Sequence, residues 1–160
     1  MPKILKNEKG VSIVEILVVI AVLLTAFVGI LGLLSFSLQV STLIKETTQA
    51  NFLAQDAIEA IRNFRDGTTW DTDGLGTLTI GTEYHPGKTA DLPPKWTMAA
   101  GQETINGFSR KIVFERVQRN VNDDIAESGG INDPDTRKTT ITISWKDKEV
   151  EIITYFTNWR

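Results

Sequence analysis

The chain has 160 residues, 41% of them hydrophobic and 23% charged, with 17 basic residues against 20 acidic ones for a net charge of −3. It has no cysteine and one histidine, His85, which excludes disulfides, cysteine-ligated metals and thiol chemistry and leaves little for a His-based triad or a zinc site. No strongly basic tract is present, so nucleic acid is not expected as a direct ligand.

A mean hydropathy of −0.09 hides a sharp division along the chain. Residues 1–10, MPKILKNEKG, carry Lys3, Lys6 and Lys9 against Glu8. Residues 11–38 follow with a single charge, Glu15, and the next charge is Lys45. As a helix, the uncharged run 16–38 is about 35 Å long, which crosses a hydrocarbon core of roughly 30 Å with some tilt. Basic residues before the span predict a cytoplasmic N-terminus and an outer part beyond the membrane. A secretory signal peptide would have a shorter apolar run ending at a small-residue cleavage site. A carboxylate near the membrane edge is costly and usually has a partner.

The segment KGVSIVEILVVIAVL, residues 9–23, resembles the leader and N-terminal motif of type IV pilins and type II secretion pseudopilins. Gly10, Val11, Ser12, Ile13, Val14 and Glu15 match the family pattern position by position. Val11 stands where the family most often has Phe. The resemblance implies cleavage after Gly10 by a membrane prepilin peptidase, with N-methylation of Val11. Gly10 supplies an uncrowded backbone at the scissile bond. The family role of Glu15 is to neutralise the amino terminus of a neighbouring subunit, since an unpaired ion in apolar surroundings costs several kcal/mol. The alternative for Glu15 is a charge reaching the headgroups. Ser12 either caps the first turn or is merely tolerated there. Gly29 and Gly32 permit close packing or a looser helix within the span.

The helical pattern continues past the membrane. Leu43, Thr47, Ala50, Ala54, Ala57, Ile61 and Phe64 recur at three- and four-residue steps, widened by Leu53 and Ile58. Lys45, Glu46, Gln49, Gln55, Glu59, Arg62 and Arg65 occupy the other face. The spacing predicts one helix over 11–66, with Gly67 as its C-cap. Residues 51–70 also resemble a segment common in minor pilins of the PilV and GspI kind, although an ordinary amphipathic helix has the same pattern.

Beyond residue 66 the composition turns polar. Residues 77–80 are expected as a short strand, with turns at Tyr84-His85-Pro86-Gly87 and Leu92-Pro93-Pro94. Residues 108–117 read as a strand with Phe108, Ile112 and Phe114 on one face and Val113 and Val117 opposite. Residues 118–137 read as a loop. Residues 139–145 alternate cleanly, 146–148 turn, and 149–156 return as a second strand. The expected fold is α+β: a long N-terminal helix packed against a small antiparallel sheet of three or four strands. The divisions are a leader 1–10, a transmembrane half-helix 11–38, an amphipathic half-helix 39–66 and a β-rich outer domain 67–160. Without cysteine, that domain must be held by packing. Trp159 is expected to close its core or to sit at a subunit contact. Residues 137–160 again resemble the terminal hairpin of minor pilins or pseudopilins.

Chemistry-bearing clusters are sparse. His85 reads as a surface residue. Asp123, Asp124, Glu127, Asp133 and Asp135 crowd one stretch and offer the oxygen ligands calcium takes, without the spacing of an EF-hand. No catalytic triad, phosphate loop or dinucleotide fingerprint is present, so no enzyme is expected and no other cofactor. The resemblance implies a structural filament subunit, more in keeping with a minor than a major pilin. Its implied partners are other subunits, the prepilin peptidase, an inner-membrane assembly platform and, before assembly, the bilayer. A membrane-anchored binding module for a surface ligand or DNA is the reading from another class.

Overall fold

The computed structural model describes residue 10 and residues 12–159. Residues 1–9 of the leader and Val11 therefore lie outside the described residues. Contacts divide the chain into two units, Met1–Lys45 and Glu46–Arg160. Helix α1, Ile13–Gly67, supplies the described part of the first unit and opens the second. Its start falls two residues later than the spacing predicts. Gly67 is the last helical residue and has no positive φ, so it is not a left-handed cap.

In the second unit the buried residues of α1 are Ala50, Ala54, Ala57, Ala60, Ile61 and Phe64. All four alanines are fully buried. Small side chains at three- and four-residue steps make a flat strip on which a sheet can lie close. The larger Ile61 and Phe64 fill the wider space toward the helix end.

The sheet has seven strands: β1 (Glu83–Lys88), β2 (Trp96–Ala100), β3 (Glu103–Ile105), β4 (Phe108–Arg119), β5 (Ile125–Ala126), β6 (Ile131–Trp145) and β7 (Lys148–Thr157). All pairings are antiparallel, in the order β2-β1-β4-β6-β7. The expectation of three or four strands counted only the long ones. One edge of β4 pairs with β6 along its length; the other is shared in turn by β3 at 108–110, β1 at 112–113 and β5 at 118–119. Short strands of that kind carry too few residues for an alternation to register.

Several boundaries differ from expectation for identifiable reasons. Residues 78–80 are not a strand; Leu75–Thr77 is a single 3₁₀ turn, and Leu75 is fully buried. A Cβ on Gly76 would lie 2.6 Å from Trp70, so the turn closes only with glycine. Residues 84–87 are not a turn but the middle of β1. Pro86 falls beyond the two residues of β1 that pair with β4, where a missing N–H is tolerated. The expected loop 118–137 contains β5 and the first part of β6. Its true turn is 120–124, where Asn120 Oδ1 accepts from the amides of Asn122 (2.8 Å) and Asp124 (3.0 Å). The register of β4 with β6 slips between Arg116 and Val117, opposite Pro134, which has no N–H to offer.

The hydrophobic core lies between α1 and the sheet. It gathers Ala50, Ala54, Ala57, Ile61 and Phe64 with Trp70, Leu75, Tyr84, Met98, Phe108, Ile112, Phe114, Ile141, Ile143, Trp145 and Phe156. Phe108 packs on Trp145 at 5.4 Å and Tyr84 on Phe114 at 5.8 Å between ring centres. Trp159 does not close this core, for it is 64% exposed. Trp70 and Trp145 do so instead, each with its indole N–H bonded. Because the fit rests on small helical side chains, Ala57→Leu is expected to overpack the contact and to cost about 1–3 kcal/mol. Thermal unfolding of the full chain in detergent, followed by tryptophan fluorescence, measures the loss.

Candidate functional site

The first candidate is the apolar beginning of α1. The carbonyl of Ser12 accepts from the amides of Glu15 (3.0 Å) and Ile16 (3.2 Å). Ser12 therefore stands at the N-cap position and Glu15 in the first turn, three residues on. A carboxylate there complements the exposed amides of the helix start, and Ser-x-x-Glu is also the spacing of a capping box. The Glu15 side chain is exposed and has no hydrogen bond or ion pair among the described residues.

Around it the surface is apolar. From Ile13 to Leu38 every Ile, Leu, Val and Phe is exposed, and an 18-residue window of mean hydropathy 3.0 has none of its residues buried. Removing one such side chain from water is worth roughly 1.5–3 kcal/mol. The segment is long and apolar enough to cross a membrane. One hydroxyl suits that setting: Thr25 Oγ1 donates within the helix to the carbonyls of Ala21 (3.1 Å) and Val22 (2.9 Å). Gly10, Gly29 and Gly32 have open space where a Cβ would stand. Nothing in the described chain requires glycine at these positions.

The second unit holds the buried charges that sequence periodicity did not single out. Arg110, 5% exposed, projects from β4 to the helix. Its guanidinium donates to Asp56 (2.6 Å), the Leu53 carbonyl (3.0 Å) and Glu103 (2.7 Å). The signal was present: Arg110 occupies the same face as Phe108 and Ile112, where a charge must be paired. Arg137 on β6 donates to the carbonyls of Gly76 (3.1 Å) and Pro134 (3.0 Å), and faces the Trp70 ring at 5.6 Å. Burial lowers its pKa, helped by Arg116. Glu46 accepts from Trp145 Nε1 (3.0 Å) and Lys146 Nζ (2.5 Å). These bonds, led by the one from Lys146, hold its carboxyl below the ordinary range.

The acidic stretch is organised around an arginine. Arg119 Nε lies 2.7 Å from Asp133 and 3.7 Å from Asp123. Asp135 accepts from Asn158 (2.9 Å), while Glu127 lines a surface groove. Burial raises the pKa of Asp133, but bonds from Arg119, Thr136 and the Asp135 amide outweigh it and leave it lowered. Among the described residues no three His, Asp or Glu side chains group as a metal site. His85 is half-buried in β1, with Nδ1 3.0 Å from the Gly101 carbonyl. A carbonyl only accepts, so Nδ1 carries the proton.

Comparison with protein-family models, curated proteins and solved structures finds no match to this chain.

Glu46 and Asp133 both have lowered pKa values in the folded state. Their stabilisation is present above the unfolded values and is lost as pH falls through the folded ones. The second unit is expected to hold its melting temperature from neutral pH down to about pH 4, the ordinary carboxylate range, and to lose stability below it. Glu46→Gln should flatten part of that decline in an unfolding series against pH.

Proposed function

We propose that the chain is a structural subunit of a cell-envelope filament of the type IV pilus or type II secretion pseudopilus kind, present as a minor component. The observation that carries the reading is Glu15: one carboxylate without a partner among the described residues, at the start of a helix whose apolar side chains are exposed from Ile13 to Leu38. Such a helix needs an apolar environment, and such a carboxylate needs a cation within it. A bilayer supplies the first. The amino terminus of a neighbouring subunit supplies the second. The Gly10-Val11-Ser12 sequence before it is where the resemblance places processing. The architecture of a long helix on an antiparallel sheet is compatible with pilin-like folds.

On this reading a membrane peptidase cuts after Gly10 and methylates Val11. The subunit rests in the inner membrane, with a cytoplasmic N-terminus and the sheet outside, until an assembly platform transfers it to the filament. It works by assembly and not by catalysis. The charge is the register device: a stem that slides past its neighbour leaves both ions unpaired.

Two experiments test this. Mass spectrometry of membrane-extracted protein should find a methylated product of 150 residues beginning at Val11, the 160-residue chain less its first ten. Gly10→Val should leave the leader in place. Glu15→Ala and Glu15→Gln should both insert into the membrane and both fail to enter filaments. The glutamine variant keeps a capping group but loses the charge, so its normal incorporation would show that the charge has no part in assembly.

A further inference from the structure

Of the four tryptophans, Trp70 and Trp145 are buried and Trp96 is half-buried, but Trp159 is 64% exposed. An indole so open to water forgoes most of the gain that burial would give it. It is nevertheless held in place. Asn158 beside it donates its amide to the Asp135 carbonyl (2.7 Å) and its side-chain Nδ2 to Asp135 Oδ1 (2.9 Å). The Arg65 guanidinium lies 5.8 Å from the centre of the Trp159 ring and 5.8 Å from that of Phe156. Trp159 is thus placed by residues of α1, β6 and β7 and still faces solvent.

Trp159 lines a cavity of about 240 Å³ where the end of α1 meets the end of β7. That is less than a drug-sized ligand needs and suits a single ring. Trp70, Arg65, Asp71, Thr157 and Asn158 supply other walls. The Asp71 carboxylate has no hydrogen bond or ion pair among the described residues. Thr157 Oγ1 accepts from Thr136 Oγ1 at 3.5 Å, which leaves its own proton to donate. Asn158 spends its Nδ2 on Asp135 and keeps a side-chain acceptor.

We infer that this cavity binds one ring of a neutral carbohydrate, stacked on Trp159. The choice follows from the charges. Arg65 is paired with Asp66 at 2.9 Å, so Asp71 and the negative end of α1 set the site against an anion. The guanidinium beside the Trp159 ring keeps a cation from the same aromatic surface. A purely apolar ligand would strip water from the Asp71 carboxylate without replacing its bonds. A hexose with equatorial substituents meets every group. Its axial C–H groups make a flat, faintly positive face for the negative face of the indole. Its hydroxyls donate to Asp71 and Asn158 and accept from Thr157. The site lies within the second unit and does not rest on the filament reading.

The full chain, labelled with fluorotryptophan and held in phospholipid nanodiscs that offer no sugar head group, gives a fluorine NMR signal for each of its four tryptophans. Trp159→Phe assigns the signal of interest. Two neutral probes separate the sources of such a ring. Chitohexaose carries the N-acetylated β-linked hexoses of cell-wall glycan, and cellohexaose the plain β-linked hexoses of an exopolysaccharide. At least one should move the Trp159 signal, with a dissociation constant on the order of a millimolar, while the Trp96 and Trp145 signals stay in place. Trp159→Ala and, separately, Asp71→Ala should each weaken that binding about tenfold, read by saturation transfer to the sugar protons, with the Trp96 and Trp145 signals confirming the fold. The carboxylated form of the same oligomer should also bind about tenfold more weakly. Neither hexaose moving the Trp159 signal, undiminished binding by a folded alanine variant, or equal binding of the carboxylated form would overturn the inference. So would a Trp159 signal that moves only with protein concentration, the mark of a contact between copies.

Discussion

The constraint on which the protein depends is an apolar helix that its own fold does not cover. From Ile13 to Leu38 the side chains that would form a core in a soluble domain are exposed. At roughly 25 cal/mol per Å² of apolar surface, that exposure is a driving force larger than the net stability of most domains. The chain answers with length and composition, which suit a bilayer. Glu15 is the exception in this segment, and its position in the first turn turns a cost into information. Helix amides ease its charge, and on the proposed reading a cation brought by a neighbouring subunit relieves it within an apolar medium.

The second unit follows a different logic. It has no disulfide and a modest core, so polar anchors are set into the packing. Arg110 ties strand to helix through Asp56 and the Leu53 carbonyl, and Arg137 ties the 3₁₀ turn to the sheet through Gly76. Glu46 fixes the start of this unit's helical part to the β6–β7 turn. Each is a charge that packing alone would reject, held by at least one partner distant in sequence, although the Arg137 Nε is buried without a hydrogen-bond partner among the described residues. Four alanines bring the helix close enough for the arginine to reach a helical carbonyl.

What could be read from the sequence depended on the range of the determining interactions. The helix showed itself because its alanines repeat within one turn. Strands β4, β6 and β7 showed themselves by alternation, and Ile141, Ile143 and Trp145 are buried as their spacing indicates. Strands β1, β2, β3 and β5 did not, because they are too short for an alternation to register. The β3–β4 hairpin carries a local signal, Asn106-Gly107 with φ values of 51° and 84°, which favours a tight two-residue turn. Trp159 looked like core by type and is not, since Phe156 already fills the end of the helix–sheet contact. At the N-terminus the motif of Gly10, Ser12 and Glu15 is purely sequential. On the proposed reading its meaning concerns molecules outside the chain, which the fold of one copy does not display.

The central claim is that Glu15 meets the amino terminus of a neighbouring subunit. Zero-length carbodiimide crosslinking of intact membranes and filaments addresses it directly, because the reagent joins a carboxylate to an amine only where they touch. Peptide mass spectrometry should then find Glu15 joined to the N-terminal amine of another subunit. Glu15 recovered unmodified, while carboxylates that touch lysines in the second unit, such as Glu83 beside Lys111 and Glu115 beside Lys138, are joined to those amines, would contradict the account.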